Sequence, residues 1–134
     1  MIDMELKKDF YWTGILDPSL RIFDIIMHTE FGTTYNSYVL KGSEKTAVFE
    51  TAKAKFFDEY LKRLSEVTPV EEIDYIIVDH TEPDHTGSLE KLIQMNPNIQ
   101  VVGTSAAVIY LKNIVNREFR SIVVKDGDTL SLGN

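Results

Sequence analysis

His80, Glu82, Asp84 and His85 fall within one short stretch, "HTEPDH", residues 80–85, and two of the three histidines of the chain are among them. Imidazole nitrogens and carboxylate oxygens are metal donors, and this set is borderline to hard. In extended backbone His80 and Glu82 point the same way, because side chains alternate. Pro83 fixes its own φ and biases Glu82 towards an extended conformation. If the chain then turns into a helix, Asp84 and His85 project from a new direction, and four donors converge from two sides. One ion uses only part of that set comfortably; two neighbouring ions can divide it. The chain has no cysteine, which argues against copper(I) and iron–sulfur clusters. Zinc accepts histidine and carboxylate, while two negative charges lean towards iron or manganese.

Helix capping is the plainer account of the same residues. Thr81 as N-cap, Pro83 in the first turn and Asp84 as the reciprocal partner make a capping-box-like start. Capping leaves His80, Glu82 and His85 unexplained. Each ion of a pair needs about four donors, so the stretch alone is too short a list. The remaining histidine, His28, has nothing of ligand spacing around it and is not expected to bind.

The elements around the stretch place it. "IDYIIVD", residues 73–79, is a continuous apolar run of the kind expected for a strand covered on both faces. A loop leaving the carboxyl end of such a strand is where open α/β sheets keep their ligands. Upstream, "FYWTGIL", "LRIFDII", "TTYNSYVLK" and "KTAVFE" read as four strands of an antiparallel meander, the last two joined at Gly42-Ser43-Glu44. "KFFDEYLKRLSEV" carries Phe56, Phe57, Tyr60, Leu61, Leu64 and Val67 at helical spacing. "SLEKLIQM" and "SAAVIYLKNIV" are two further helices, the second with Ser105 as N-cap. "IQVVGT" is another covered strand, and "SIVVKDGDTLSL" reads as a hairpin about Asp126-Gly127. A meander followed by helix–strand alternation suggests two packed sheets with helices outside, a four-layer α/β sandwich of which this is half. The ending Gly133-Asn134 is a turn signal with no strand after it, so the chain is expected to be the front part of a longer protein.

The whole chain limits the function classes. Its 134 residues suffice for one domain with a real core, and its formal net charge is −7. That balance argues against broad nucleic-acid binding and against docking on an anionic membrane. No apolar stretch approaches ~18 residues, and the N-terminus lacks the pattern of a signal peptide. The expected location is the cytoplasm.

The sequence His80-Thr-Glu82-Pro-Asp84-His85 resembles the H-x-E-x-D-H signature of the flavodiiron proteins, or A-type flavoproteins. These form a branch of the metallo-β-lactamase superfamily, in which H-x-H-x-D-H is the commoner form. "GTTYNSYVLKG", "KTAVFET", "DYIIVDHTEPDHTGSLEKL" and "VVKDGDTLSLGN" extend the resemblance over nearly the whole chain. It implies a metallo-β-lactamase-like αββα sandwich, with residues 1–134 its N-terminal part. It implies that His80 and Glu82 bind one iron and Asp84 and His85 the other. The family's remaining ligands (a third histidine, a bridging aspartate and a fourth histidine) would lie beyond Asn134, as would its flavodoxin-like FMN domain. The implied activity is reduction of dioxygen to water, of nitric oxide to nitrous oxide, or both. Electrons would come through FMN from a rubredoxin-like donor, in a head-to-tail homodimer. His80 and His85 would need acceptors for their second ring nitrogens, for which Asp79 and Glu50, at strand ends, are candidates. Trp12, Tyr35 and Tyr38 are candidates to line a pocket, although strand aromatics are more often core.

Two other readings compete. One is a binuclear zinc hydrolase of the same superfold, using a metal-bound hydroxide; Glu82 in place of a histidine counts against it. The other is a truncated fragment that has no activity of its own.

Overall fold

The computed structural model describes residues 5–17, 22–23, 27–28, 33–79 and 86–133. Its strands are β1 (Glu5–Lys7), β2 (Phe10–Trp12), β3 (Ile15–Asp17), β4 (Ile22–Phe23), β5 (Met27–His28), β6 (Thr33–Tyr35), β7 (Tyr38–Lys41), β8 (Thr46–Phe49), β9 (Tyr75–Ile77), β10 (Gln100–Gly103) and β11 (Arg120–Val123). Three α-helices are described: α1 (Phe57–Val67), α2 (Leu89–Met95) and α3 (Ser105–Ile114). A seven-stranded sheet runs β1-β2-β7-β8-β9-β10-β11. Strands β8 to β11 are parallel neighbours in chain order, and β1, β2, β7 and β8 pair antiparallel. This is the mixed sheet with helices that the sequence implies.

The early strands are nested rather than laid out as a meander. β2 pairs with β7, β3 with β6 and β4 with β5. Phe10 faces Leu40, Ile15 faces Tyr35 and Ile22 faces His28, so partner numbers add to 50 in all three pairs. The three described pairs therefore share a single register, that of one two-stranded ribbon. The β2–β7 pair belongs to the large sheet, and β3–β6 and β4–β5 are two-stranded sheets of their own. Thr13 and Ser37, opposite each other between the first two pairs, keep the register through a 2.8 Å bond from Thr13 N–H to the Ser37 carbonyl. Local apolar runs do not encode this pairing, because each partner is up to some thirty positions away.

The parallel half follows from its patterns. Val48, Ile76 and Val101 are fully buried on one face of β8, β9 and β10. They meet Phe57, Tyr60 and Leu64 of α1, Leu89, Leu92 and Ile93 of α2, and Leu111 of α3. Helix α1 buries one stripe of its surface, has Asp58 and Glu59 in its first turn, where they complement the helix dipole, and stops at Thr68 before Pro69. Helix α3 is capped by Thr104, whose Oγ1 accepts from Ala107 N–H at 3.2 Å, so Ser105 is the first helical residue rather than the cap.

The other face of the same strands presents Ala47, Tyr75 and Val102, with Phe49, Ile77, Ile122, Leu130 and Leu132 packed on them. The Asp126-Gly127 turn forms as expected: Gly127 has φ 92°, and Asp128 N–H bonds the Lys125 carbonyl at 3.0 Å. Its second arm does not return along β11. The Leu132 carbonyl instead accepts from Glu44 and Lys45 N–H at 2.9 and 3.1 Å, so the segment crosses to the β7–β8 loop. Leu130 and Leu132 lie on this face, which draws the arm inward and away from the edge strand.

Candidate metal centre

Strand β9 ends at Ile77, and Val78 N–H still bonds the Val102 carbonyl at 2.9 Å. Asp79, exposed to solvent, is the last described residue before the donor stretch; Thr86, buried, is the first after it. His80, Glu82, Asp84 and His85 lie outside the described residues, and among the described residues no group of histidines and carboxylates could hold a metal ion. What the structure places is the frame on either side of them.

Both sides of that frame hang on the segment that follows β8. Glu50 is buried, and its Oε1 accepts a short hydrogen bond from Asp79 N–H. Two residues on, the Ala52 carbonyl accepts from Ser88 Oγ at 3.0 Å, fixing the start of α2. Residues 50–52 thus tie down the chain just before and just after the donor stretch. The sequence makes Glu50 a candidate acceptor for a histidine ring nitrogen; among the described residues its carboxylate accepts from the backbone of Asp79, and both histidines of that reading lie outside them.

The backbone of Glu50 is itself unusual. Its φ of 64° is left-handed, a conformation that costs about 1–2 kcal/mol for a residue with a Cβ. Asp9 has the same φ in the β1–β2 turn, where a short polar side chain tolerates it; a longer buried glutamate has no such excuse. Each backbone handle of Glu50 is held by a different element. Its N–H donates to the Ile77 carbonyl at 2.9 Å, and its carbonyl accepts from Ser37 Oγ at 3.1 Å.

Ser37 joins a buried set of hydroxyls. Its Oγ lies 2.8 Å from the Tyr60 hydroxyl and 3.3 Å from Thr13 Oγ1, and all three residues are fully buried. A serine hydroxyl has one hydrogen and two acceptor sites. The hydrogen goes to Glu50, so Tyr60 and Thr13 donate to Ser37. Burial pushes the Tyr60 phenol well above its ordinary value of 10.0, and the nearby Glu50 charge adds to the rise. Tyr60 is therefore a neutral donor throughout the ordinary pH range. Sequence reading placed Tyr60 on the core stripe of α1 and passed over Thr13 and Ser37, which look like ordinary strand polar residues. A hint was available in "TTYNSYVLK", where a small hydroxyl sits at a break between two strand-forming runs.

The aromatic candidates divide. Trp12 donates from Nε1 to Asn36 Oδ1 at 3.0 Å and lies under the Arg63 guanidinium, 5.4 Å from the ring centroid. Arg63 also donates to the Gly14 carbonyl at 2.6 Å, fastening α1 to the ribbon. Tyr38 stacks on Phe10 with centroids 5.4 Å apart. These contacts hold Trp12 and Tyr38 within the ribbon and against α1. The side chains of Tyr35 and His28 lie outside the described residues.

The donor chemistry fits a pair of oxophilic ions: two imidazoles and two carboxylates with no thiolate, leaving a strand end whose flanks are held by hydrogen bonds to Glu50 and Ala52. No helix among the described residues is long and apolar enough to cross a membrane.

Comparison with known proteins gives a consistent set of relatives. The family described as ODP family beta lactamase matches residues 33–134. The flavo-diiron protein FprA2 of Clostridium acetobutylicum is 48% identical over 132 residues, covering 98% of this chain and 33% of that protein. The type A flavoprotein fprA of Rhodobacter capsulatus is 39% identical over 127 residues, covering 92% and 29%. The solved flavodiiron protein of Giardia intestinalis superposes with a TM-score of 0.90 at 33% identity, over 99% of this chain and 32% of that one. The rubredoxin oxygen:oxidoreductase of Desulfovibrio gigas gives 0.88 at 33%, over 96% and 32%. The chain spans about a third of the length of these relatives.

Proposed function

The chain belongs to the ODP family of β-lactamase-like domains; from this, and from its similarity to flavodiiron proteins, we propose that it is the N-terminal part of such a domain and the front part of a di-iron oxidoreductase. In this reading His80 and Glu82 hold one iron, and Asp84 and His85 the other. The remaining donors, and an FMN domain, come from polypeptide beyond Asn134. The observation that carries the reading is the frame: the chain on both sides of the donor stretch is tied to residues 50–52, at the carboxyl end of the parallel strands. An iron pair bound there would supply electrons to a small gas, dioxygen or nitric oxide, taking it to water or nitrous oxide.

The protein's own part is positional. Neutral imidazoles and ionised carboxylates are the forms that bind metal. A stretch fixed at both flanks loses less freedom on binding than a free loop does. Carboxylates beside the ions also favour the more highly charged oxidation state, because opposite charge stabilises it. The electron donor in this proposal is a rubredoxin-like protein acting through FMN. The assembly is a head-to-tail homodimer, and the compartment is the cytoplasm.

The test is metal content of the full-length protein, before and after His80→Ala. The expected result is about two irons per chain in the parent, with loss of at least one in the variant. The unfolding free energy of the metal-free protein should change by no more than about 0.5 kcal/mol, as for a side chain outside the core. Two zincs with no flavin would overturn the reading in favour of a hydrolase. A large loss of stability in the metal-free variant would instead make His80 a structural residue.

A further inference from the structure

Tyr60 lies on α1, yet its hydroxyl ends a continuous set of bonds that runs from the core out to the exposed Asp79. Tyr60 and Thr13 donate to Ser37, Ser37 donates to the Glu50 carbonyl, and the Glu50 carboxylate takes the Asp79 N–H. Glu50 adopts a left-handed backbone, which its surroundings must impose. If the Ser37 bond were absent, a buried carbonyl would lack that donor, and relaxation of Glu50 towards the extended region would swing its carboxylate away from Asp79. We propose that Tyr60 and Ser37 are positioning residues: their hydroxyls hold Glu50 in its left-handed turn, and so fix the point at which the chain enters the donor stretch.

The inference deepens the proposed metal-binding reading and rests on it only for the metal. Ser37 is committed in both acceptor directions and in its one hydrogen, so it cannot switch partners without cost. Tyr60 approaches from a helix whose packing is complete without the hydroxyl, since Leu64 and Phe57 share its stripe. The phenolic oxygen is therefore the part of Tyr60 whose role lies outside packing.

Tyr60→Phe removes that oxygen and leaves the ring. Two measurements on the full-length protein separate the possibilities, with Ile99→Val as a control for general loosening, since Ile99 is buried away from these bonds. The first is hydrogen exchange of the Asp79 amide without metal. Protection should fall about tenfold more in Tyr60→Phe than in Ile99→Val, the loss expected when a hydrogen bond opens locally. The second is competition between the protein and a ferrous chelator, where Tyr60→Phe should hold Fe²⁺ several-fold less tightly, below the roughly 10–100-fold cost of removing a direct partner of a ligand. An Asp79 amide protected as in the control would overturn the proposal, whatever the iron does. A parent that binds no Fe²⁺ would overturn the metal reading, while the exchange result still decides the positioning role. Should Tyr60→Phe fail to fold, Ser37→Ala gives the same comparison at the other end of the bond.

Discussion

On β9, Ile76 and Ile77 are neighbours in sequence and look out on opposite sides of the same sheet. Ile76 is fully buried beneath the helices, among Val48, Val101, Leu64 and Leu92. Ile77 is half-buried, packed with Phe49, Val102 and the Leu130–Leu132 segment. The first face is closed by three amphipathic helices, each supplied by the crossover that also brings the next parallel strand. Among the described residues the second is closed by a passing length of backbone, held through the Leu132 carbonyl on Glu44 and Lys45. Among those residues the fold thus has one finished side, and one side whose cover depends on a few bonds far along the chain.

The largest effect should separate the two isoleucines. Ile76→Ala should cost about 4 kcal/mol, since a fully enclosed cavity cannot collapse, and Ile77→Ala about half as much. Chemical denaturation of both would check this, and equal losses would mean that the second face is as tightly closed as the first. A smaller effect targets the passing segment. A Cβ on Gly42 would overlap the backbone and side chain of Leu132, so Gly42→Ala should displace the segment at a cost of about 2 kcal/mol. Hydrogen exchange should then report faster exchange at Glu44 and Lys45 with the amides of α1 unchanged; coupled loss in α1 would show that the two faces open together. The smallest effect appears only in alkali. Tyr60 has a raised pKa in the folded state, so its contribution is intact below its unfolded value of 10.0 and declines as pH rises beyond it, because the unfolded chain releases the proton first. Stability measured from pH 8 to 11 should fall more steeply in the parent than in Tyr60→Phe.

The sequence made the finished side readable and the other side less so. Parallel strands announce themselves as unbroken apolar runs, as in "DYIIVD", and helices by their stripe, as in Phe57, Tyr60 and Leu64. Both signals are local. The Asp126-Gly127 turn was legible for the same reason, but the path of the arm after it was not: Leu130 and Leu132 choose between pairing with β11 and covering a face, and only the assembled sheet decides. Nesting of β2 with β7 and β3 with β6 was hidden likewise, because strand composition says that a segment pairs and not with what. The extra residue boundaries at Thr13 and Ser37 looked like continuations of strands. At the candidate metal centre, the proposed donors stand out as residue types in a short stretch, while the bonds on its flanks do not. Glu50 could be suspected from its place at a strand end; that Ser37 and Tyr60 stand behind it depends on three segments meeting.

The ribbon from Phe10 to Leu40 behaves like a zip fastener with one set of teeth. Because every described pair between Phe10–Leu40 and Phe23–Met27 obeys one register, adding or deleting a single residue in one arm would shift every later described pair by one position. Length changes between the described pairs therefore keep this register only as matched changes in both arms, and drift within them is confined to substitution.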